Sequence, residues 1–321
     1  MKKRTKFVLG LLIIAFIAVF PFGDNIPIKY VERSSGTIKT EQVYGEGWLH
    51  WLYNNPVGEL SLFAIVKRKF VSDWYGEQMD SPESANKIGD FVSKYNIDLT
   101  IAKKQNFKSF NDFFSRELRA SARLIDSNKE SLISPADGKV LAYQNISQQD
   151  FIVKGYRFNL LQFFNDSLLA KQYENGSLII IRLCPTDYHR FHFPADGKII
   201  INHKIEGPLY SVSPIALRKK IEIICRNKRE YTQIESIQFG QIIMAEVGAT
   251  MVGSIIQTNE NVEIEKGDEK GYFLFGGSTV VLFFEKNKII IDQDILENTK
   301  NKLETEVKMG EKIAVKNKQN R

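Results

Sequence analysis

The pattern of apolar and polar positions divides the chain into three parts. Residues 7–22 (FVLGLLIIAFIAVFPF) are sixteen in a row without a charge, directly after Lys2, Lys3, Arg4 and Lys6. This is the outline of a signal peptide or a signal anchor. Pro21-Phe22-Gly23-Asp24 is a poor cleavage site, and the run falls slightly short of the ~20 residues of a spanning helix. The expectation is a retained membrane anchor over residues 1–25, either a span or a shorter dipping segment. Next come Trp48, Leu49, Trp51, Leu52 and Tyr53, then Leu60, Leu62, Phe63, Ile65 and Val66 running into Lys67-Arg68-Lys69, Phe70, Val71, Trp74 and Tyr75. Large apolar groups beside a basic triplet suit either helix–helix packing or an interfacial helix on anionic lipid. All three tryptophans fall here, which tilts the choice toward the interface.

Residues 81–118 read as helical. Ser81-Pro82-Glu83 is a cap, a first-turn proline and an early acid. Ile88, Phe91, Val92 and Tyr95 then follow the i, i+3, i+4, i+7 rule. Ser109 and Asp112 form a weak capping box ahead of FNDFFSREL. After about residue 124 the grammar changes to short β-rich runs at 178–183, 198–205, 220–225, 241–247, 262–265, 272–275, 279–285 and 288–291. Such spacing, without long helical segments between, predicts an antiparallel sandwich or barrel. The fold class expected is therefore α+β, with membrane-associated helices over 26–124 and a β-rich catalytic body over 125–321. Pro135-Ala136-Asp137-Gly138-Lys139-Val140 recurs as Pro194-Ala195-Asp196-Gly197-Lys198-Ile199, two similar turns that suggest an old duplication.

Composition narrows the class. The chain of 321 residues is 43% hydrophobic and 26% charged, which excludes disordered, collagenous and multi-pass membrane proteins. The net charge of +6 comes from the two ends, since residues 308–321 add five basic residues against Glu311. The body is slightly acidic, so nucleic acid is not an expected partner. Cys184 and Cys225 are the only cysteines and lie in apolar runs, which leaves no disulfide scaffold or Cys-rich metal site.

Three features could carry chemistry. Gly276-Gly277-Ser278-Thr279 lies between two strand-like runs. A serine hydroxyl can attack the carbonyl of the residue before it, and glycine there removes the obstruction and tolerates strained φ/ψ. The attack needs a base and oxyanion donors. Asp187-Tyr188-His189-Arg190-Phe191-His192 holds two of the four histidines. In an extended chain they point to opposite faces, and no metal is expected. Asp137, on a tight turn, could orient an imidazole. Asp137, His192 and Ser278 together supply an activated-nucleophile triad. Gly-x-Ser-x-Gly is absent, which weakens a lipase-like reading.

Six segments in order, FKSFNDFFSREL (107–118), SPADGKV (134–140), PTDYHRFHFPADG (185–197), EVGATMVGSI (246–255), KGDEKGYFLFGGSTVVLFFE (266–285) and ETEVKMGEKI (304–313), resemble the phosphatidylserine decarboxylases of the bacterial type, a pyruvoyl enzyme family. The resemblance implies self-cleavage at Gly277–Ser278 into a β chain of residues 1–277 and an α chain of 278–321. It implies a processing triad of Asp137, His192 and Ser278, and a covalent pyruvoyl group at residue 278 that forms a Schiff base with the serine headgroup. His189 would serve decarboxylation. The products would be phosphatidylethanolamine and CO₂. Expected partners are phosphatidylserine, an anionic membrane surface, the two chains for each other and a second copy of the protein; the expected location is the cell membrane. Two other readings stand beside it: a Ser-His-Asp lipid esterase on the same three residues, and a non-enzymatic membrane-tethered β module in which the PADGK repeats are scaffolding.

Overall fold

A computed structural model describes residues 26–62, 69–147, 158–219, 222–249 and 254–318. The expected anchor at 7–22, the basic residues Lys67 and Arg68 and part of the segment 246–255 lie outside the described residues. Among those described, no helix is long and apolar enough to cross a membrane.

Among the described residues sixteen strands form three sheets. In chain order they are β1 (Lys29–Glu32), β2 (Thr37–Thr40), β3 (Ser131–Ile133), β4 (Gly138–Tyr143), β5 (Ser177–Leu183), β6 (Arg190–His192), β7 (Gly197–Ile205) and β8 (Arg229–Ser236). The rest are β9 (Gly240–Val247), β10 (Ile255–Gln257), β11 (Glu263–Ile264), β12 (Glu269–Phe273), β13 (Ser278–Phe284), β14 (Ile289–Ile291), β15 (Glu304–Val307) and β16 (Lys312–Lys316). The largest sheet runs β11-β7-β8-β9-β13-β5-β4-β15-β1-β2, with three-stranded sheets β10-β12-β6 and β14-β16-β3 beside it. The pairings are antiparallel except β1 with β15. The architecture is thus mixed α+β with large antiparallel sheets.

Both faces of the central strands are buried, and side-chain alternation divides them between two cores. Val140, Ile179, Ile181, Met244, Val280 and Leu282 pack into one. Leu141, Ile180, Ile243, Ala245, Val281 and Phe283 pack into the other, with Phe163 and Phe164 from the helix Leu160–Phe164 and Tyr173 from the C-cap of the helix Ser167–Gln172. Burial on both faces explains why these strands read as continuous apolar runs.

The repeated PADGK turns occupy equivalent places. Each glycine opens a strand flush against the backbone of the next, where a Cβ on Gly138 would meet the Arg182 carbonyl at 2.6 Å and one on Gly197 the Glu235 carbonyl at 2.7 Å. The two loops also bond each other, His192 N–H to Pro135 O at 2.8 Å and Ile133 N–H to Pro194 O at 3.2 Å. The strand sets β4-β5-β13 and β7-β8-β9 then meet at the β13–β9 pair, as a duplication would produce.

Residues 26–124 are not wholly helical, because the β1–β2 hairpin extends the large sheet through β15. The helices Glu46–Asn54, Pro56–Ser61, Lys69–Asp80, Ile88–Tyr95 and Phe110–Phe114 follow. Ser81 does not cap: its hydroxyl donates back to Gln78 O, and Pro82–Lys87 forms a 3₁₀ turn. Ser109 does cap, accepting from Asp112 N–H at 3.1 Å, while Asp112 accepts from Lys108 N–H rather than from Ser109. The described part of the run 220–225 is not a strand. Ile223–Arg226 is a short helix whose Ile223, Ile224 and Cys225 are all buried, so β-branched content without alternation misled the reading.

Candidate active site

Ser278, Asp137 and the two histidines gather at one end of the large sheet. Lys139 pairs with Arg182 across β4–β5, and Arg182 with Thr279 across β5–β13. The starts of β4 and β13 therefore flank the end of β5, about 10 Å apart at the usual strand spacing. His189 and His192 come from the segment that leaves β5.

Ser278 is fully buried, and its Oγ has no hydrogen-bond partner. Gly276 before it takes φ of +142°, a conformation costly for any residue with a Cβ. The special backbone is thus at Gly276. Gly277 has a different constraint, since a Cβ there would stand 3.3 Å from Val212 Cγ2. Phe275, one residue earlier, is caged by Tyr44, Phe110 and Phe114 at centroid distances of 5.6, 4.8 and 5.1 Å.

His189 is buried against Phe114, ring centroids 3.8 Å apart. Its Nδ1 lies 3.0 Å from the Asp187 carbonyl. A carbonyl only accepts, so Nδ1 carries the proton and Nε2 the lone pair. That Nε2 has no partner, although the Gly276 backbone is near enough to favour a protonated ring. Burial outweighs this and pushes the His189 pKa down to about 3, so the ring is neutral at pH 7.

His192 has the same tautomer by the same logic. Nδ1 donates to Gly267 O at 2.9 Å, and Nε2 accepts from the Tyr188 hydroxyl at 3.2 Å. Burial lowers the His192 pKa and raises that of Tyr188, which keeps the phenol proton in place. Asp137 faces Arg123, whose guanidinium donates to both carboxylate oxygens, Nε at 2.8 Å; Met309 N–H adds a third bond at 2.9 Å. In this uncut chain Asp137, His192 and Ser278 are neighbours by topology and are not joined by hydrogen bonds. Gly267 O holds the His192 Nδ1 proton, the place an aspartate takes in a serine triad. Asp196, from the second PADGK turn, is exposed and accepts from Lys266 N–H at 2.8 Å.

A buried ionic cluster supports this end of the sheet. Arg182 binds Glu41 at 2.6 Å and Glu304 at 2.5 Å, and Cys184 Sγ sits 3.0 Å from the same guanidinium. Burial alone would raise the Asp187 carboxyl, but Lys139 at 3.5 Å, together with Lys308, overrides it and holds the pKa at about 2. Among the described residues no group of three or more His, Cys, Asp or Glu is placed to hold a metal.

A pocket of about 120 Å³ reaches the segment before Ser278. Trp48, Leu49, Leu52 and Val212 form its walls, Gly276 and Gly277 line its inner end, and Glu41 and Arg182 border it. Trp48 stacks on Trp51 at 5.0 Å and is half exposed. Sequence reading missed Asn111, Phe114, Arg123, Tyr188 and Gly267. All lie inside or beside the quoted segments, but only the fold gives them partners.

A buried serine without a partner behind a glycine of positive φ, with two neutral imidazoles at the same sheet end, is an arrangement that suits activated-serine chemistry. The profile of the family described as phosphatidylserine decarboxylase matches residues 110–315. A phosphatidylserine decarboxylase proenzyme of Fusobacterium nucleatum is 57% identical over 290 residues, covering 89% of this chain and 97% of that one. Proteins of the same name from Clostridium botulinum and Desulfitobacterium hafniense are 50% and 49% identical, covering 90% and 91% of this chain and 99% of each relative. The chain belongs to the phosphatidylserine decarboxylase family.

Proposed function

We propose that this chain is a proenzyme that cuts itself at Gly277–Ser278 and then decarboxylates phosphatidylserine to phosphatidylethanolamine and CO₂ at a membrane surface. The observation that carries the reading is the buried, unpartnered Ser278 Oγ behind Gly276, at the end of a pocket walled by a tryptophan-bearing helix.

In the first step the Ser278 oxygen bonds to the Gly277 carbonyl carbon, and the hydroxyl proton passes to a neutral imidazole. The C–N bond then breaks, its nitrogen takes a proton, and an ester joins the two parts. Loss of the Ser278 α-proton expels the Gly277 carboxylate and frees residues 1–277. Water then replaces the nitrogen at residue 278, which leaves as ammonia. The family pattern assigns the imidazole to His192, with Asp137 in support. His192 carries its lone pair on Nε2, and Tyr188 must release it before it can accept a proton. His189 is the second candidate for this base, favoured by its unpartnered Nε2 and the nearness of Gly276.

The orphaned Ser278 Oγ and His189 Nε2 fit a prosthetic group made from residue 278 itself. That pyruvoyl group supplies an electron sink for the bond to the departing carboxylate. His189 holds its ring against Phe114 with the Nε2 lone pair unpartnered, so that it can take a proton given up by the substrate ammonium and return it to the substrate α-carbon. The two-chain lipid stays in the bilayer, with the exposed Trp48 and Trp74 at the interface.

A time course on denaturing gels tests the assignment. Wild type gives fragments 1–277 and 278–321, and Ser278→Ala stays whole. His192→Ala and Asp137→Ala cut slowly, by about 10²–10⁴-fold for loss of a general base. His189→Ala cuts and releases no CO₂ from phosphatidylserine. Whole His189→Ala with normal cutting in His192→Ala would transfer the base to His189. A whole wild-type chain labelled at Ser278 by a serine-reactive phosphonate would favour the esterase.

A further inference from the structure

The backbone just before the cleavage site is held by a side chain far away in sequence. Strand β12 ends at Phe273, and Leu274 N–H still finds Ser254 O at 3.3 Å. Phe275 N–H lies beyond the ladder and donates instead to Asn111 Oδ1 at 2.8 Å. Asn111 is buried in the helix Phe110–Phe114. Its amide nitrogen donates to Asp80 Oδ1 at 2.9 Å, at the end of the helix Lys69–Asp80. That helix carries the exposed Trp74. The amide nitrogen also donates to Gly76 O at 3.4 Å, and these bonds fix the amide orientation, because Phe275 N–H needs an acceptor and the Asp80 carboxylate and Gly76 carbonyl need donors. The same short helix places Phe114 on both His189 and Phe275. One element thus holds an imidazole and the segment leading to the scissile bond.

We infer that Asn111 is a positioning residue for self-cleavage, setting Phe275–Gly276–Gly277 against Ser278 and tying that segment to the tryptophan-bearing helix through Asp80. The inference rests on the reading that Gly277–Ser278 is cut.

The test exchanges donor and acceptor in the full-length chain. Asn111→Asp keeps an acceptor for Phe275 N–H but sets a second carboxylate about 3 Å from that of the exposed Asp80, and the like charges push position 111 away until the pair shares a proton. Displacement of the segment by about 1 Å would slow cutting by up to about 100-fold. Cutting by Asn111→Asp should speed up as the pH falls and the pair shares a proton, a trend absent from wild type. Asp80→Asn alone should cut at nearly the wild-type rate. The double variant Asn111→Asp, Asp80→Asn restores a donor at position 80 and should recover the rate. A purely structural role would move the melting temperature and would not produce this pH profile. An Asn111→Asp chain that cuts at the wild-type rate overturns the inference, as does a double variant that melts like wild type and still cuts slowly. A wild-type chain that never cuts overturns the cleavage reading and this inference together.

Discussion

The two buried histidines make stability depend on pH in a range where carboxylates contribute little. His189 has a pKa of about 3 in the folded chain, against about 6.5 for an unfolded histidine. As pH falls below 6.5 the unfolded chain takes a proton at this residue and the folded chain does not. The folded state is therefore favoured fully above 6.5, and that advantage shrinks down to about pH 3. Between pH 7.5 and 5 the linkage relation makes the loss from His189 alone about 2 kcal/mol. Asp187, held at about 2, acts in a lower window, since its stabilisation fades only as pH drops below the unfolded carboxyl value near 4. The measurement uses a Ser278→Ala chain, which stays in one piece, unfolded by urea at the two pH values. His189→Gln in that background keeps a donor for the Asp187 carbonyl and cannot take the proton. It should lose about 2 kcal/mol less than its parent on acidification. An equal loss in the two proteins would mean that His189 is not a buried neutral base.

Other consequences follow from the pocket and the surface. A Cβ at Gly277 would press on Val212 at 3.3 Å, so Gly277→Ala should slow self-cleavage and Val212→Ala should restore part of the rate; gel time courses that give no recovery would remove Val212 from the explanation. Binding to phosphatidylserine vesicles should weaken as salt rises, by about 1 kcal/mol for each basic side chain screened, and Trp48→Ala should weaken it at every salt concentration. Salt-insensitive binding in flotation assays would transfer the attachment to the apolar segment 7–22.

How far the sequence could be read depended on whether a residue's partner was local. The strands β5, β9 and β13 were legible because both faces are buried and their runs are almost wholly apolar. Strand β8 was not, because Arg229, Glu230 and Thr232 are buried there in polar company. Arg229 is satisfied by the carbonyls of Gln162, Phe163 and Asn227, and no periodicity announces that. The candidate residues Ser278, His189, His192 and Asp137 were visible as residue types in motifs. Their present bonds were not. Arg123 on Asp137, Gly267 on His192 and Asn111 on Phe275 are contacts that only the assembled sheets create. The glycine argument concerned Gly277, where a Cβ would stand 3.3 Å from Val212 Cγ2; the positive φ at Gly276 is a further feature that only the fold reveals.

The most direct test of the account is the intact mass of the fragment 278–321 from purified, active protein. The account requires a fragment lighter by one ammonia than the peptide that simple hydrolysis would leave, with its first residue resistant to Edman degradation and reactive toward a carbonyl reagent. A fragment beginning with an ordinary serine, or an uncut chain that still releases CO₂ from phosphatidylserine, would contradict it.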